Sequence, residues 1–165
     1  MNADDARTLR ALLHQRPVGA LGTLHQGDPA VSMVPFVLPA GGTQLFIHVS
    51  ALAPHTRDMQ AHPRVSLLVM AEPGPGVSPQ ALPRVALACN ASFLARGGAE
   101  HAAEHATAYA TAQAAYLARF PDAATTFELG DFALVALQPV AARLVAGFGR
   151  AQALAGDALT AWLCG

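Results

Sequence analysis

The chain has 165 residues, the length of one domain, and 53% of them are hydrophobic while only 13% are charged. This balance excludes a disordered protein, because disorder needs low hydrophobicity and high charge. The net charge of −1 argues against binding of nucleic acid or an anionic membrane through bulk charge. All ten basic residues are arginine, which excludes chemistry that depends on lysine, such as a Schiff base or a phosphate loop.

The sequence also predicts a compartment. Residues 1–5 are acidic where a signal peptide is basic, and the longest uncharged stretch, 29–56, is broken by prolines and glycines. We therefore expect a cytoplasmic protein with no membrane partner. The two cysteines, Cys89 and Cys164, make neither a disulfide framework nor a metal-binding quartet.

The first half of the chain predicts a helix followed by strands. Asp4 or Asp5 can cap a short helix that ends before Pro17. Apolar runs separated by turn residues predict strands over 18–24, 30–38 and 44–49, joined as an antiparallel meander. The strand over 30–38 is apolar on both faces, which predicts burial on both. A short helix over 52–61 and a strand over 65–71 follow.

The second half predicts two further sets of strands around one long helix. A loop over 72–79, rich in proline and glycine, precedes a long strand over 83–94. The alanine-rich segment 98–119 predicts a helix that stops near Pro121. Strands over 132–137 and 143–148 are joined at Gln138 and Pro139. The fold is therefore predicted as α+β, an antiparallel barrel of six to seven strands in one domain, with helices in 1–16 and 98–120 and strands in 17–97 and 131–150.

Polar groups cluster in a chain that is otherwise poor in charge. They fall between the third strand and the fourth and are Ser50, His55, Thr56, Arg57 and Arg64. A hydroxyl, the backbone N–H groups of a helix start and a guanidinium together suit a phosphate. The alternative interpretation is a polar loop with ordinary solvated arginines.

Other motifs give weaker indications. His101, Glu104 and His105 match the H-x-x-E-H pattern of inverted zinc proteases, but the same residues also make an ordinary polar helix face. The glycine pairs at 74–76 and 147–149 lack the elements that bind dinucleotides or phosphate loops. No catalytic Ser–His–Asp or Cys–His arrangement stands out, so the catalytic residues are unknown and no metal site is predicted.

Four ordered motifs carry a resemblance to a known family. They are Ser32-Met33-Val34-Pro35-Phe36, the run 50–58, the run 62–67 and the closing run 142–151. Together they resemble the FMN-binding split barrels of the pyridoxamine 5′-phosphate oxidase-like superfamily. The closing run looks like the branch that contains the heme-utilisation and heme-degrading split-barrel proteins.

The resemblance implies a homodimer with two FMN sites at the subunit interface. By carry-over, the strand Met33-Val34-Pro35-Phe36 lies along the isoalloxazine ring, although plain strand packing would explain Pro35 and Phe36 equally. Four residues are implied at the 5′-phosphate, with a fifth as a phosphate or ribityl contact. The four are Ser50, Thr56, Arg57 and the nearby His55, and the fifth is Arg64. Asp58 replaces the family's usual asparagine, and we expect it either to repel the phosphate or to turn towards Arg57.

Three functions follow from these observations. The first is an FMN-dependent oxidoreductase with a small-molecule redox substrate, in which the flavin carries the chemistry. The second is a heme-binding protein without flavin, with His48, His55 or Cys164 as the iron ligand. The third is a flavin-binding module without catalytic activity. The branch's ligand histidine near the C-terminus has no counterpart here, because no histidine follows His105, although Asp131 matches its aspartate partner.

Overall fold

The computed structural model describes residues 3–96 and 102–164, apart from the side chains of 102, 103 and 105. The strands are β1 (Val18–His25), β2 (Asp28–Pro35), β3 (Leu45–Ser50), β4 (Arg64–Met70), β5 (Arg84–Phe93), β6 (Phe132–Val145) and β7 (Ala151–Ala155). The helices are α1 (Ala3–Gln15), α2 (Pro54–Ala61), α3 (Ala102–Arg119), α4 (Ala124–Phe127) and α5 (Gly156–Cys164). The H-x-x-E-H motif at 101–105 lies partly outside the described residues.

One antiparallel sheet holds the seven strands of the described residues, in the order β2-β1-β4-β5-β6-β3 with β7 beside β6. β2 and β3 follow each other in sequence but lie at opposite ends of this order. The predicted meander is therefore wrong for β3, which pairs with β6 from Leu45↔Leu137 to Ser50↔Phe132. A single bridge between Val37 and Phe46 links the two ends of the curled sheet. The α+β split barrel of six to seven strands is confirmed.

The chain from residue 132 onward differs from the prediction. A break at Gln138 and Pro139 was expected, but β6 runs through both residues without interruption. The register moves from Ala88↔Ala141 to Cys89↔Pro139, so one residue of β6 is extra at this point. Such a bulge tolerates proline, because proline has no N–H to give to the ladder. β7 and α5 follow where no strand or helix was predicted beyond residue 150.

Two apolar cores flank the sheet. Inside the barrel, α1 contributes Leu9, Leu12 and Leu13 to a cluster that includes Phe36 and Ile47. The outer side of β3 and β6 is covered by α3 and α4, whose contributions to the second cluster are Tyr109, Ala112, Tyr116 and Phe127. β3 is consequently buried along both faces, whereas most strands have one exposed face.

β2 does not have the two buried faces that its composition predicts. Val34 and Phe36 point into the barrel, with 2% and 0% of their surface exposed. Val31 and Met33 lie on the opposite face and are 73% and 67% exposed. These apolar side chains are exposed in the single chain, so the expectation of burial on both faces is not met within one chain.

The N-terminal aspartates do not act as predicted. Both lie within the first turn of α1, where acidic side chains are favoured by the helix dipole. Asp5 is buried and accepts hydrogen bonds from the side chains of Arg150 and Gln152. Asp5 thus ties the first helix to the segment that leads into β7, a connection across nearly the whole sequence.

Candidate functional site

The polar segment between β3 and β4 contains a short helix whose start has no side-chain cap. Pro54 occupies the first turn of α2, where its missing N–H costs nothing, and Pro63 follows soon after the helix ends. Ala53 precedes the helix in an extended conformation and offers no side-chain oxygen. The backbone N–H groups at this end therefore depend on the chain itself, on solvent or on a ligand.

Ser50 and Thr56 close the turn that leads into α2. The Thr56 hydroxyl donates to the Ser50 carbonyl at 2.6 Å, and Thr56 is only 1% exposed. The Ser50 hydroxyl accepts from the Leu52 N–H at 3.2 Å and donates to Asp131 Oδ2 at 3.4 Å. Both hydroxyls thus hold the turn in place, and Asp131, before β6, anchors it to the sheet.

Arg57 and His55 point away from the core. One guanidinium nitrogen of Arg57 donates to the Leu52 carbonyl at 3.3 Å, and the side chain is exposed. His55 is half-buried, and this burial lowers its pKa despite the attraction of the Asp58 carboxylate. His55 is therefore a neutral imidazole near pH 7, the form that binds metals.

Asp58 neither faces Arg57 nor lies open to a ligand. It is 5% exposed, and its two oxygens accept from Thr23 Oγ1 at 2.9 Å and from His25 Nδ1 at 2.8 Å. Burial opposes the charge, but the hydrogen bonds from His25 and Thr23 outweigh it and lower the pKa of the carboxyl. The carboxylate that was expected to repel a phosphate or orient Arg57 instead fastens α2 to β1.

Sequence reasoning missed His25 and Thr23. Both lie at the end of β1, more than thirty positions before Asp58, and nothing in their local pattern marks them. His25 and α2 border a groove of about 520 Å³. The groove is lined by Leu24, His25, Gln26, Pro54, Arg57, Asp58, Ala61 and His62.

The predicted site residues occupy three surroundings. Ser50, His55, Thr56 and Arg57 lie together on the β3–α2 segment, as the sequence cluster predicts. Val34 and Phe36 are core side chains, Pro35 is half-buried between them, and Met33 is on the exposed outer face of the sheet. Arg64 is exposed at the start of β4.

The predicted heme ligands differ in access. His48 is enclosed by aromatic rings, stacks on Phe127 with centroids 3.8 Å apart, and has its Nδ1 3.2 Å from Thr126 Oγ1. Among the residues that the structure describes, its Nε2 is buried without a hydrogen-bond partner. Burial, followed by the charge of Arg96, lowers the pKa of His48 to about 4. Cys89 is a buried thiol whose pKa is raised to about 12 by burial. Cys164, in contrast, is exposed on α5.

The outer face of the sheet carries an apolar row. One row runs Met33, Ala20, Leu68, Ala86 across four strands in register. A depression of about 330 Å³ lies along it, and its apolar lining includes Val18, Ala20, Met33, Leu68 and Met70. The ion pair of Arg16 and Glu72, 3.0 Å long, borders the depression.

Two properties of the described residues bear on membranes and metals. Across 3–96 and 102–164, no helix combines the length and the apolar character needed to cross a bilayer. Within the same ranges, no group of three or more histidine, cysteine, aspartate or glutamate residues is arranged to hold a metal ion.

A single curled antiparallel sheet flanked by helices is the split-barrel fold. The chain belongs to the pyridoxamine 5′-phosphate oxidase family, whose sequence pattern matches residues 6–146. The resemblance expected from the four motifs is confirmed, and so is the branch, because sequence and structural neighbours are heme proteins.

Three relatives illustrate this branch. The chain is 30% identical over 146 residues to the non-canonical heme oxygenase HOZ of Arabidopsis thaliana, covering 87% of this chain and 40% of that protein. It is 30% identical over 135 residues to the heme oxygenase HutZ of Vibrio cholerae, covering 81% of this chain and 71% of that one. A heme binding protein from Mycobacterium smegmatis superimposes with a TM-score of 0.75 at 32% identity, covering 96% of this chain and 60% of that one. The chain thus spans 40% of the plant protein and 60% of the mycobacterial one, less than two thirds of each.

Proposed function

We propose that this protein binds heme as a homodimer, with the outer face of the sheet as the apolar contact surface. The observation that carries the proposal is the apolar row of Met33, Ala20 and Leu68 along the depression of about 330 Å³. Heme is planar and largely apolar, and it carries two carboxylates at one edge. An apolar strand face bordered by Arg16 offers both kinds of contact. Two relatives with 30% identity are named heme oxygenases, which supports the same ligand.

The side chains favour some iron ligands over others. His48 is enclosed under α3 and α4, so a ligand in solvent does not reach its Nε2. His55 is half-buried and neutral near pH 7, and Cys164 is exposed. Of the three ligands predicted from the sequence, His55 and Cys164 therefore have the access that iron coordination requires. Heme, when bound, supplies the iron chemistry, and the residues of this chain hold and orient it.

The first experiment is a hemin titration followed by visible absorption. A saturable Soret band at one hemin per chain supports the proposal, and failure to form that band refutes it. His55→Ala and Cys164→Ser, measured in parallel, identify the ligand by a shift of the band. Ascorbate added in air then separates a heme oxygenase, which loses the band, from a heme carrier, which keeps it.

A second candidate is FMN, favoured by the uncapped start of α2. The residues fit a 5′-phosphate there, because the helix start lacks a side-chain cap, Arg57 is exposed nearby and the Asp58 carboxylate is turned away. FMN, when bound, supplies redox chemistry for a small-molecule substrate. The family membership supports this reading as well.

FMN and riboflavin differ by the phosphate alone, so a comparison of their affinities tests the phosphate site at the start of α2 directly. Binding of FMN at least tenfold tighter than riboflavin, with the difference lost in Arg57→Gln, supports the flavoprotein. Arg7→Gln is the matched control, because Arg7 is an exposed arginine of α1. Equal affinity for FMN and riboflavin refutes a phosphate site at the start of α2.

A further inference from the structure

The groove between α2 and the β1–β2 hairpin contains a pairing that neither the flavin nor the heme hypothesis uses. His25 is nearly half exposed, while its partner Asp58 is buried. Pro54, Arg57, Asp58 and Ala61 recur along one face of α2 and form one wall of the groove. Leu24, His25 and Gln26 form the opposite wall, and His62 lies at the end of α2.

The contact fixes the orientation and the tautomer of His25. Asp58 Oδ1 is a carboxylate oxygen, so the nitrogen 2.8 Å from it must donate, and His25 carries its proton on Nδ1. The other ring nitrogen, Nε2, is then left for a ligand and donates when the ring is protonated. A buried carboxylate behind a half-exposed imidazole is a common arrangement for holding a histidine in a working orientation.

The hairpin turn holds His25 from the other side. His25 pairs with Asp28 across a two-residue turn, and both central residues, Gln26 and Gly27, have positive φ. Positive φ is uncommon for glutamine, and such strain occurs where the surrounding structure over-determines a position. The turn therefore fixes the backbone next to His25, and Asp58 fixes its ring.

The hydrogen-bond donors around the groove suit an anion. Arg57 contributes a guanidinium with one nitrogen on the Leu52 carbonyl, and His25 and His62 contribute imidazoles. Asp58 is the acid in the wall, and both of its oxygens already accept hydrogen bonds from Thr23 and His25. Asp28 of β2 is exposed to solvent beyond the turn, where water screens its charge. His55, also on α2, contributes to the lowered pKa of Asp58.

We propose that this groove binds a phosphate-sized oxyanion, held by His25 Nε2, Arg57 and His62, with Asp58 as the positioning residue for His25. The ligand class is a small phosphorylated molecule or inorganic phosphate itself. The groove of about 520 Å³ has room for such a group with a small organic portion attached. Arg57 is shared with the FMN candidate, whereas His25 and His62 line this groove and are not used in the proposed function. The variants of these two histidines therefore separate the failure of this site from that of the proposed function.

The test is a titration with inorganic phosphate near pH 6 at constant ionic strength, followed by imidazole ¹H–¹⁵N NMR signals. We expect the signals of His25 and His62 to shift saturably while that of buried His48 does not. His25→Gln and His62→Gln should each weaken binding about tenfold, the effect of losing one charge-assisted hydrogen bond. Arg7→Gln is the control and should bind as the parent does.

Three results would overturn the proposal. One is a linear shift without saturation, and another is unchanged affinity in His25→Gln. The third concerns Asp58→Asn, in which the ¹⁵N shifts should show His25 losing its Nδ1–H preference. A ring that keeps that tautomer in the variant contradicts the positioning role even if phosphate binding falls. Glucose 6-phosphate against glucose then distinguishes a phosphorylated molecule from free phosphate, since the sugar alone should not compete.

Discussion

His25 and Asp58 join the first hairpin to α2 through a contact of 2.8 Å between Nδ1 and Oδ1. Thr23, two residues earlier in β1, donates to the other carboxylate oxygen at 2.9 Å. A short helix with no side-chain cap has little stability of its own, so its position depends on such tertiary contacts. The segment that carries His55, Thr56 and Arg57 is therefore held in place by a carboxylate that the sequence alone did not connect to β1.

Asp58→Asn should destabilise the protein near neutral pH, and the deficit should shrink in acid. The folded-state pKa of Asp58 is lowered from its ordinary value of 3.8, so its stabilisation is present above 3.8 and is lost as the pH falls through the folded value. Urea unfolding of the parent and the variant at neutral pH and below pH 3.8 measures the difference. A deficit that stays constant with pH would contradict a charged, hydrogen-bonded Asp58.

Thr23→Val tests the same network without changing a charge. The variant keeps the shape of the side chain and removes one donor to the carboxylate, at a cost of about 1–2 kcal/mol. Thr8→Val is a matched control on α1, because the Thr8 hydroxyl donates to a backbone carbonyl in an exposed position. We expect the Thr8 variant to change the free energy of unfolding by less than the Thr23 variant.

His48→Leu should flatten the dependence of stability on pH. The imidazole is buried and its pKa is lowered from 6.5 to about 4, so the unfolded chain binds a proton that the folded chain rejects between these values. Stability contributed by neutral His48 is present above 6.5 and is lost as the pH falls towards 4. We expect that loss to be on the order of 1–2 kcal/mol after solvent screening.

The structure provides the control for His48. Thr126, which contacts Nδ1 of His48, also donates to the Ala123 carbonyl at 2.7 Å, so leucine does not leave its hydroxyl unsatisfied. His14 and His55 also have lowered pKa values, so some slope should remain in the variant. An unchanged slope in His48→Leu, equal to that of exposed His62→Gln, would mean that His48 does not titrate with folding.

The sequence predicted the elements better than their pairing. Alternation and turn residues located β1, β4 and β5 closely, because these features act over a few residues. The partner of β3 is β6, some ninety positions away, and no local pattern encodes that pairing. Pro139 was interpreted as a break because proline has no N–H, yet one extra residue opposite Ala88 and Cys89 accommodates it.

In the candidate site, too, the sequence predicted what depends on neighbouring residues and missed what depends on distant ones. Four of the predicted site residues lie within eight positions of the sequence, so their grouping on one segment could be predicted. They are Ser50, His55, Thr56 and Arg57. The sequence could not predict which of these side chains remain available to a ligand. The turn geometry directs the Thr56 hydroxyl to a backbone carbonyl, for example. Likewise, an apolar β2 predicts two apolar faces, while the exposure of Met33 depends on what covers the outer side of the sheet.

Arg119, the last residue of α3, connects that helix to the end of α1. Its guanidinium donates to the His14 carbonyl and to the Arg16 carbonyl at 2.7 Å, and it also lies over the Phe36 ring. Arg119→Met should cost about 2–3 kcal/mol, because these carbonyls lose charge-assisted hydrogen bonds in a partly buried place. Arg7→Met, which removes an exposed ion pair with Asp4, should cost under about 0.5 kcal/mol by the same chemical unfolding measurement.

Leu68→Glu should convert the protein from a dimer to a monomer. Leu68 lies in the middle of the apolar row of the outer sheet face, flanked in register by Ala20 and Ala86. A second copy would bury this row, and a carboxylate buried there without a partner would cost several kcal/mol. Leu129→Glu is the control, because Leu129 is an exposed leucine between α4 and β6, away from the row.

Sedimentation velocity across a range of concentrations measures the change. We expect a dimer for the parent and for Leu129→Glu, and a monomer for Leu68→Glu with its circular dichroism spectrum intact. Because the proposed heme contact uses the same face, the monomeric variant should also lose at least tenfold in hemin affinity. A monomeric parent would refute the homodimer, whereas a dimeric Leu68→Glu would place the subunit contact on another face.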